Sequence, residues 1–231
     1  MAKLTPQVIY EDDDLWVYNK PANVSVLKDR SGAHDLWSEL KQGPKPYLVH
    51  RLDKGTSGVW VVAKNQKTQT KLSQSFANRS VSKFYVALVE GAPPSNTHHI
   101  DLPLTKGRKS RYRIAGQRGQ IKLDNQTYRV QQDREGVAAL TSFRVLSTRN
   151  HRSLVLVHPH TGRSHQIRVH LAWLGFPIVG DTLYNPLYKK DGTADERLGL
   201  HAHYLRFPGL GPFIAPVPEE LHALSPHQEL N

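Results

Sequence analysis

Apolar residues alternate with polar ones, or gather in short runs, in a way that suits β-strands better than long helices. Turn-forming residues such as Gly, Pro, Asn and Asp bound most of these segments. The predicted strands cover residues 8–10, 15–18, 59–64, 82–90, 139–147, 153–158 and about 198–207. Beyond Phe207 the chain is rich in Pro, and we expect surface coil there. Because strands outnumber helices and follow one another directly, the pattern predicts an α+β fold with a mixed, largely antiparallel sheet and flanking helices.

Three segments favour helices. Residues 35–42 have the length and composition of a short helix, and two large apolar residues lie four apart within 67–79. Over 165–174, apolar residues recur at helical spacing on one stripe. Ser164 is placed to cap the start of this third helix, and Gly175 is placed to end it.

The net charge of the chain indicates a class of binding partner. Lys and Arg number 31 against 20 Asp and Glu, which gives a formal net charge of +11. A surplus of this size favours a polyanion such as RNA or DNA, although a basic protein without a nucleic-acid role has the same composition. The chain has no Cys, which excludes disulfides, thiolate catalysis and Cys-based metal sites. The start has no signal-peptide pattern and the apolar runs are too short to span a bilayer, so we expect a soluble protein in the cytoplasm.

Much of the positive charge is concentrated between residues 105 and 122, in a Gly-containing stretch with few apolar residues. Its cations are Lys106, Arg108, Lys109, Arg111, Arg113, Arg118 and Lys122. We expect a mobile basic loop or hairpin that grips a nucleic-acid backbone. A solvated loop without function remains the alternative.

The first segment with candidate chemistry is His-Arg-Leu-Asp-Lys-Gly-Thr-Ser-Gly at residues 50–58. Asp53 lies in a loop that leads into the predicted strand 59–64, where a rigid scaffold can aim a carboxylate. A carboxylate in such a loop is a candidate nucleophile, general base or metal ligand. From the local sequence alone, an Asp that only caps a turn fits equally well.

The second segment, residues 158–170, is rich in histidine and arginine. These residues are His158, His160, Arg163, His165, Arg168 and His170. A zinc site is disfavoured, because His165 and His170 lie five apart rather than the four that share a helix face, and the segment has no carboxylate. The better interpretation is a helix N-terminus aimed at an anion, with Arg163 and Arg168 beside its positive end.

The first segment resembles the signature loop of the RluA family of RNA pseudouridine synthases, which reads His50-Arg51-Leu52-Asp53-x-x-Thr56-Ser57-Gly58 here. Other parts of the chain resemble further motifs of this family and occur in the family's order. They are Asn-Lys-Pro at 19–21, the strand at 83–91, the Thr-Gly-Arg-Ser-His-Gln-Ile-Arg-Val-His run at 161–170, its continuation at 174–181 with Gly180-Asp181, and Leu-His-Ala at 200–202. The resemblance covers nearly the whole chain, from about residue 8 to 215.

The resemblance implies roles for particular residues. Asp53 would be the catalytic aspartate, Arg168 would form an ion pair with it, and Arg51 would enter the RNA stack when the uridine flips out. Tyr85 would stack on the flipped base and is a candidate for moving a proton; without the resemblance, a core tyrosine on an ordinary strand fits as well. The remaining candidates for contact with RNA are His50, Thr56, Arg163, His165, Gln166, Lys106, Arg108, Lys109, Arg111 and Arg113.

The implied activity is the isomerisation of uridine to pseudouridine in ribosomal or transfer RNA. This reaction breaks the C1′–N1 bond and rejoins uracil through C5, so it needs no redox cofactor, energy donor or metal. It needs an ionised carboxylate in a pocket, where burial would raise the pKa of the acid and a guanidinium would oppose that rise. The sequence leaves open whether the carboxylate attacks C1′ or starts an elimination through a glycal.

The sequence has no internal repeat and no clear linker, and it departs from many members of the family, which carry an N-terminal S4 RNA-binding domain. We expect one catalytic domain over residues 1–231 with the pseudouridine synthase fold and a central RNA-binding cleft, without an N-terminal S4 domain, acting as a monomer. Two other functions remain open from sequence: an inactive RNA-binding protein that has kept the fold, and a metal-dependent hydrolase that uses the histidine-rich segment.

Overall fold

A computed structural model describes residues 6–29, 32–108, 111–188 and 196–222, so the predicted RNA contact Lys109 lies outside the described residues. In chain order these residues form β1 (Gln7–Glu11), β2 (Leu15–Lys20), α1 (Leu36–Leu40), β3 (Tyr47–Leu48), β4 (Ser57–Ala63), α2 (Gln66–Ala77), β5 (Ser82–Glu90), β6 (His98–Asp101), β7 (Leu104–Lys106), β8 (Tyr112–Ile114), a 3₁₀ turn (Arg118–Gln120), β9 (Lys122–Asp124), β10 (Thr127–Arg129), β11 (Leu140–Arg149), β12 (Arg152–Pro159), α3 (Gln166–Leu174), β13 (Leu200–Phe207), β14 (Leu210–Ile214) and α4 (Glu219–His222). The chain divides into two compact units. The first comprises Met1–Phe84 and Leu200–Val217, and the second comprises Tyr85–Gly199 and Pro218–Asn231.

In the first unit, strands pair in the order β1-β2-β4-β13, with β3 on β4 and β14 on β13. Every residue of β4 is buried, which explains why its sequence is apolar without alternation. Side chains from β2, β4, α2, β13 and β14 share one hydrophobic core. Its buried members are Leu15, Val17, Val59, Val61, Leu72, Val81, Leu205, Phe207, Phe213 and Ala215.

A glycine makes the parallel pairing of β4 with β13 possible. Gly58 lies opposite Ala202 in this ladder and has a φ of 110°. A Cβ at Gly58 would lie 2.1 Å from the carbonyl oxygen of Ala202, far inside van der Waals contact. The Thr-Ser-Gly turn of the signature loop therefore needs Gly at this position for backbone reasons.

In the second unit, strands pair in the order β5-β12-β11-β6-β10-β9, and β7 pairs with β8 as a separate hairpin. The β6–β10 pair is parallel, and the other pairs within this unit are antiparallel. Helix α3 packs against β8, β11 and β12, and its first seven residues are all buried. Because α3 is buried on nearly all sides, it carries apolar residues outside the single stripe that the helical spacing predicts.

The α+β prediction with a mixed, largely antiparallel sheet is confirmed, and β5 has the predicted bounds of 82–90. The basic stretch is a hairpin in part, since β7 and β8 both lie within 104–114. Strands β6, β9 and β10 are short and were not predicted. Each has three or four residues, which is too few for a periodic pattern to show.

Two predictions are wrong. Ser164 does not cap α3: the helix begins at Gln166 after His165, which has a φ of 56° and makes no capping hydrogen bond through its side chain. The chain beyond Phe207 is not coil throughout, because β14 pairs with β13 and α4 follows. The Pro and Gly residues there mark a tight turn between two paired strands rather than the end of regular structure.

Candidate functional site

The loop that carries Asp53 is fixed mainly through its backbone. Asp53 is half-buried, and its carbonyl oxygen accepts a hydrogen bond of 3.1 Å from the amide of Thr56, which closes a turn. The carbonyl oxygen of Lys54 accepts a bond of 3.2 Å from Nζ of Lys20. Lys20 is fully buried, and its Nζ also donates to the carbonyl oxygens of Pro21 (2.8 Å) and Val24 (2.7 Å). The predicted Asn-Lys-Pro strand end therefore supplies a buried ammonium group that anchors the loop.

His50 fixes the start of this loop. Its Nε2 accepts a hydrogen bond of 3.0 Å from the amide of Val61, and its ring lies 4.9 Å from that of Phe76. Burial, with a smaller contribution from the charge of Lys83, lowers the pKa of His50 to about 3, so the ring is neutral at physiological pH. Within the protein His50 positions the loop, and its predicted contact with RNA stays a prediction.

A buried Ser–His pair fixes the end of the loop. Oγ of Ser57 lies 2.8 Å from Nδ1 of His201, and Nε2 of His201 lies 3.2 Å from the carbonyl oxygen of Ala215. Since a carbonyl can only accept, Nε2 carries the proton and Nδ1 accepts from the Ser57 hydroxyl. His201 belongs to the Leu-His-Ala motif, whose part in the loop could not be seen from the sequence.

Three further predicted residues lie in different surroundings. Arg51 is exposed beside the Asp53 turn, as an RNA contact requires. Thr56 is buried, with 3% of its surface exposed, and within the protein it closes the Asp53 turn. Tyr85 is half-buried on β5, opposite Val157 of β12. The roles of these residues toward RNA stay predictions.

Arg168 has a carboxylate partner that the sequence did not indicate. Its Nε and Nη2 donate to the two carboxylate oxygens of Asp181 at 2.8 and 2.7 Å, and both side chains are buried. One Asp181 oxygen also accepts from the amides of Leu183 (3.0 Å) and Tyr184 (3.2 Å). A bidentate pair of this kind fixes the plane of the guanidinium as well as its charge. The predicted pairing of Arg168 with Asp53 stays a prediction.

Next to this ion pair lies a group of aromatic side chains. The hydroxyl of Tyr184 lies 2.7 Å from Nδ1 of His165 and accepts a hydrogen bond of 2.9 Å from the amide of Tyr112. The guanidinium of Arg168 lies 5.2 Å from the centroid of the Tyr184 ring, within the range of a cation–π contact. Tyr112 and Tyr184 were absent from the predicted site, because no spacing rule relates them to α3.

Gln166 is occupied by bonds within the protein. Its Oε1 accepts from the hydroxyl of Thr161 (2.7 Å) and the amide of Arg163 (3.0 Å). Its Nε2 donates to the carbonyl of Leu140 (3.0 Å) and the hydroxyl of Thr141 (2.9 Å). The amide is buried and makes all four bonds within the protein, so it fixes the turn before α3. The predicted contact of Gln166 with RNA stays a prediction.

The predicted cations fall into two groups. Lys106, Arg108 and Arg111 are exposed around the tip of the β7–β8 hairpin, which suits contact with phosphates. Arg113 instead lies over the ring of Trp173, 5.8 Å from its centroid, and Arg118 donates to the carbonyl oxygens of Ala172 (2.5 Å) and Trp173 (2.9 Å). Those carbonyls belong to the last turn of α3, where a cation is favourable. Arg113 thus packs against α3 within the protein, and its predicted contact with RNA stays a prediction.

Arg163 is exposed, and its Nε donates to the carbonyl of Ala138 at 3.2 Å, so its predicted contact with RNA stays a prediction. The other histidines of the second segment have structural partners. His158 and His160 stack with ring centroids 4.2 Å apart, and His170 is buried between Thr141 and the carbonyl of Leu102.

Across the described parts of the chain, no group of three or more His, Cys, Asp or Glu residues could hold a metal ion. None of the described helices is long and apolar enough to cross a bilayer.

Comparisons with known proteins agree with this architecture. The sequence model of the RNA pseudouridylate synthase family matches residues 14–173. An uncharacterized RNA pseudouridine synthase of Zymomonas mobilis is 37% identical over 211 residues, which cover 89% of each chain. The dual-specificity RNA pseudouridine synthase RluA of Vibrio vulnificus is 35% identical over 87% of this chain and 77% of its own. The solved structure of human RNA pseudouridylate synthase domain containing 1 superimposes with a TM-score of 0.77 at 29% identity, over 99% of this chain and 91% of the other. This chain belongs to the RNA pseudouridylate synthase family, in agreement with the resemblance that its signature loop carries.

Proposed function

We propose that Asp53 is the carboxylate with which this RNA pseudouridine synthase isomerises uridine. The observation that carries the proposal is the way the Asp53 turn is held. Lys20 anchors its middle, His50 its start, and the Ser57–His201 pair its end, while the Asp53 side chain stays half-exposed. A carboxylate aimed by a fixed backbone and open to a ligand suits catalysis better than it suits the capping of a turn.

The reaction makes defined demands on this carboxylate. The C1′–N1 bond breaks, uracil turns, a C1′–C5 bond forms, C5 loses its proton to a base and N1 gains a proton, so atoms balance without a co-reactant. Attack of Asp53 on C1′ and elimination through a glycal both need the acid ionised. We propose that Arg168, fixed by Asp181, supplies positive charge to the active site and that Tyr85 offers a ring face to the flipped base.

Binding of RNA is proposed to rest on the exposed cations. Lys106, Arg108 and Arg111 around the tip of the β7–β8 hairpin are placed to contact phosphates, and Lys109 lies between them in sequence. Arg51 is proposed to fill the gap that the flipped uridine leaves. Replacing one phosphate-contacting cation should lower the slope of log K against log salt by about one.

We propose ribosomal or transfer RNA as the substrate class, and the name of the Vibrio relative, which includes dual specificity, favours more than one RNA. We further propose that the two compact units form one catalytic domain. The family match at residues 14–173 extends through parts of both units, and β5 runs continuously from Ser82 to Glu90. Action as a monomer in the cytoplasm completes the proposal.

The test compares Asp53→Asn with Asp13→Asn, an exposed aspartate in the β1–β2 turn of the same unit. Each protein is incubated with total RNA from cells that lack it, and pseudouridine is mapped at single-nucleotide resolution. We expect Asp53→Asn to lose at least about 1,000-fold in rate with its melting temperature preserved, and Asp13→Asn to match the wild type. A fully active Asp53→Asn enzyme would overturn the role of Asp53. Wild-type protein that binds RNA and modifies no RNA in the pool would overturn the activity.

A further inference from the structure

We propose that Tyr184 is a positioning residue that couples the basic β7–β8 hairpin to the active-site arginine. RNA held by the hairpin would then accelerate the chemical step in addition to binding more tightly. The inference rests on the proposed roles of Arg168 and of the hairpin cations, and it concerns contacts within the second unit alone.

The Tyr184 hydroxyl joins the hairpin to the residue that precedes α3. It accepts from the amide of Tyr112, the first residue of β8, at 2.9 Å and lies 2.7 Å from Nδ1 of His165. Tyr112 directly follows Arg111, one of the exposed cations. A shift of the hairpin tip toward a phosphate is therefore transmitted to the Tyr184 hydroxyl through a single peptide unit.

His165 is the point at which this contact reaches α3. Its φ of 56° is left-handed, a conformation that is strained for a non-glycine residue and persists only where neighbours hold it. The neighbours are the Tyr184 hydroxyl and the edge of the Tyr112 ring, whose centroid lies 5.7 Å from that of His165. Arg168 follows three residues later in the first turn of α3, so a change in the backbone at His165 acts on the same helical turn that carries Arg168.

Tyr184 also contacts the ion pair directly. Its ring centroid lies 5.2 Å from the Arg168 guanidinium, and its amide donates to Asp181 at 3.2 Å. The far end of α3 is held by the same basic stretch, since Arg118 donates to the carbonyls of Ala172 and Trp173. The segment proposed to grip RNA thus reaches both ends of the helix that carries Arg168.

Tyr184→Phe is the sharpest test, because it removes the hydroxyl and keeps the ring beside Arg168. Single-turnover rates are measured at saturating RNA on two substrates: the stem–loop around a mapped uridine, and a fragment cut back to the nucleotides that flank that uridine. We expect the wild type to turn over the stem–loop faster than the fragment. We expect Tyr184→Phe to lose about tenfold on the stem–loop, with little change on the fragment and with RNA affinity within about twofold.

Tyr188→Phe is the matched control. Tyr188 lies in the same loop, and its hydroxyl is bonded to Arg152 (3.1 Å) and to Glu196, away from the ion pair of Arg168. It should keep wild-type rates on both substrates. At the other partner of the hydroxyl, His165→Asn should retain the advantage of the stem–loop, because Asn tolerates a left-handed φ and offers an acceptor. His165→Ala should lose this advantage.

Equal rate losses of Tyr184→Phe on both substrates, or a lower melting temperature without a change in either rate, would overturn the coupling. An active Asp53→Asn enzyme would instead overturn the proposed chemistry, whatever Tyr184→Phe does. Inactivity of Asp53→Asn together with wild-type behaviour of Tyr184→Phe would leave the chemistry standing and remove only the coupling.

Discussion

The loop around Asp53 and the segment around Arg168 are held in place by different means. In the loop, buried side chains bond mainly to the backbone, as Lys20 does to the carbonyl of Lys54. At Arg168 the side chain itself is held, because its Nε and Nη2 donate two hydrogen bonds to the buried carboxylate of Asp181. The difference follows from what each group must do. A carboxylate that has to meet a ligand is best aimed through its backbone, whereas a cation that has to keep its charge in a buried place needs a counter-charge.

The largest effect expected from this comparison is that of Asp181→Asn. The substitution keeps the shape and leaves the buried guanidinium short of one negative partner. We expect a loss of about 3–5 kcal/mol in the free energy of unfolding, measured by urea denaturation, because breaking a buried pair costs far more than breaking an exposed one. The rate of pseudouridine formation should fall with it, since the plane of Arg168 is no longer fixed.

Asp133→Asn in the same unit is the control. Asp133 pairs with Arg134 through bonds of 2.6 and 2.8 Å, but the pair lies at the surface. Its removal should leave the denaturation midpoint nearly unchanged. Similar losses for the two variants would show that the Asp181 pair acts as an ordinary surface pair.

The sequence predicted the loop around Asp53 better than the contacts that hold Arg168. The Asp53 loop could be predicted because its motif is contiguous and the following strand, β4, is an unbroken apolar run. The pairing of Arg168 with Asp181 could not be predicted, because Asp181 lies 13 positions further along the chain and no periodic pattern relates the two. Asp181 lies in the matched motif at 174–181. Its partner depends on the path of the backbone between the end of α3 and Asp181, which the sequence does not show.

The wrong predictions have a related cause. Ser164 had the composition of a cap, but the side chain of Gln166 already accepts from the Arg163 amide and fixes the turn before α3. His50 and Gln166 are predicted RNA contacts because they are polar residues in the matched motifs. The structure adds hydrogen bonds of both side chains within the protein, which the sequence does not show, and leaves their contact with RNA a prediction. Local composition thus indicated candidate residues but did not show which of their side chains make hydrogen bonds within the protein.

Lys20→Met tests whether hydrogen bonds to the backbone hold the Asp53 loop in place. It keeps the length of the side chain and removes the donor that the carbonyls of Pro21, Val24 and Lys54 share. We expect a loss of about 2–4 kcal/mol in the free energy of unfolding, since buried carbonyls lose a charged donor. The rate at saturating RNA should also fall, because the Asp53 turn loses its anchor.

The matched control is Lys64→Met in the same unit. Lys64 donates to Glu11 at 2.7 Å and to the carbonyl of Asp12, at the edge of the sheet. We expect a much smaller loss of stability and no change in rate. A Lys20→Met protein as stable and as active as Lys64→Met would contradict the anchoring role of Lys20.

The smallest expected effect depends on pH and sharpens the comparison, because each region contains one histidine whose lowered pKa keeps the ring neutral. Burial is the main cause of the low pKa of both, about 3 for His50 beside the Asp53 loop and about 4 for His170 in α3, against an ordinary value of 6.5. Below pH 6.5 these histidines bind protons in the unfolded chain but stay unprotonated in the folded protein. The free energy of unfolding therefore falls as the pH falls toward the two folded-state pKa values. Between pH 7.5 and pH 5, each ring should account for a loss on the order of 1–2 kcal/mol.

His170→Gln should flatten this pH dependence most cleanly. A glutamine can still donate to the carbonyl of Leu102 and accept from the Thr141 hydroxyl, as the ring does, but it has no proton to take up. Urea denaturation at pH 7.5 and pH 5 measures the change, and His50→Gln should act in the same direction. The control His151→Asn replaces an exposed histidine in the β11–β12 turn at a φ of 59°, which Asn tolerates, and should leave the pH dependence as it is. If the pH dependence of His170→Gln equals that of the control, the ring of His170 takes up its proton in the folded protein, and the acid sensitivity has its origin elsewhere.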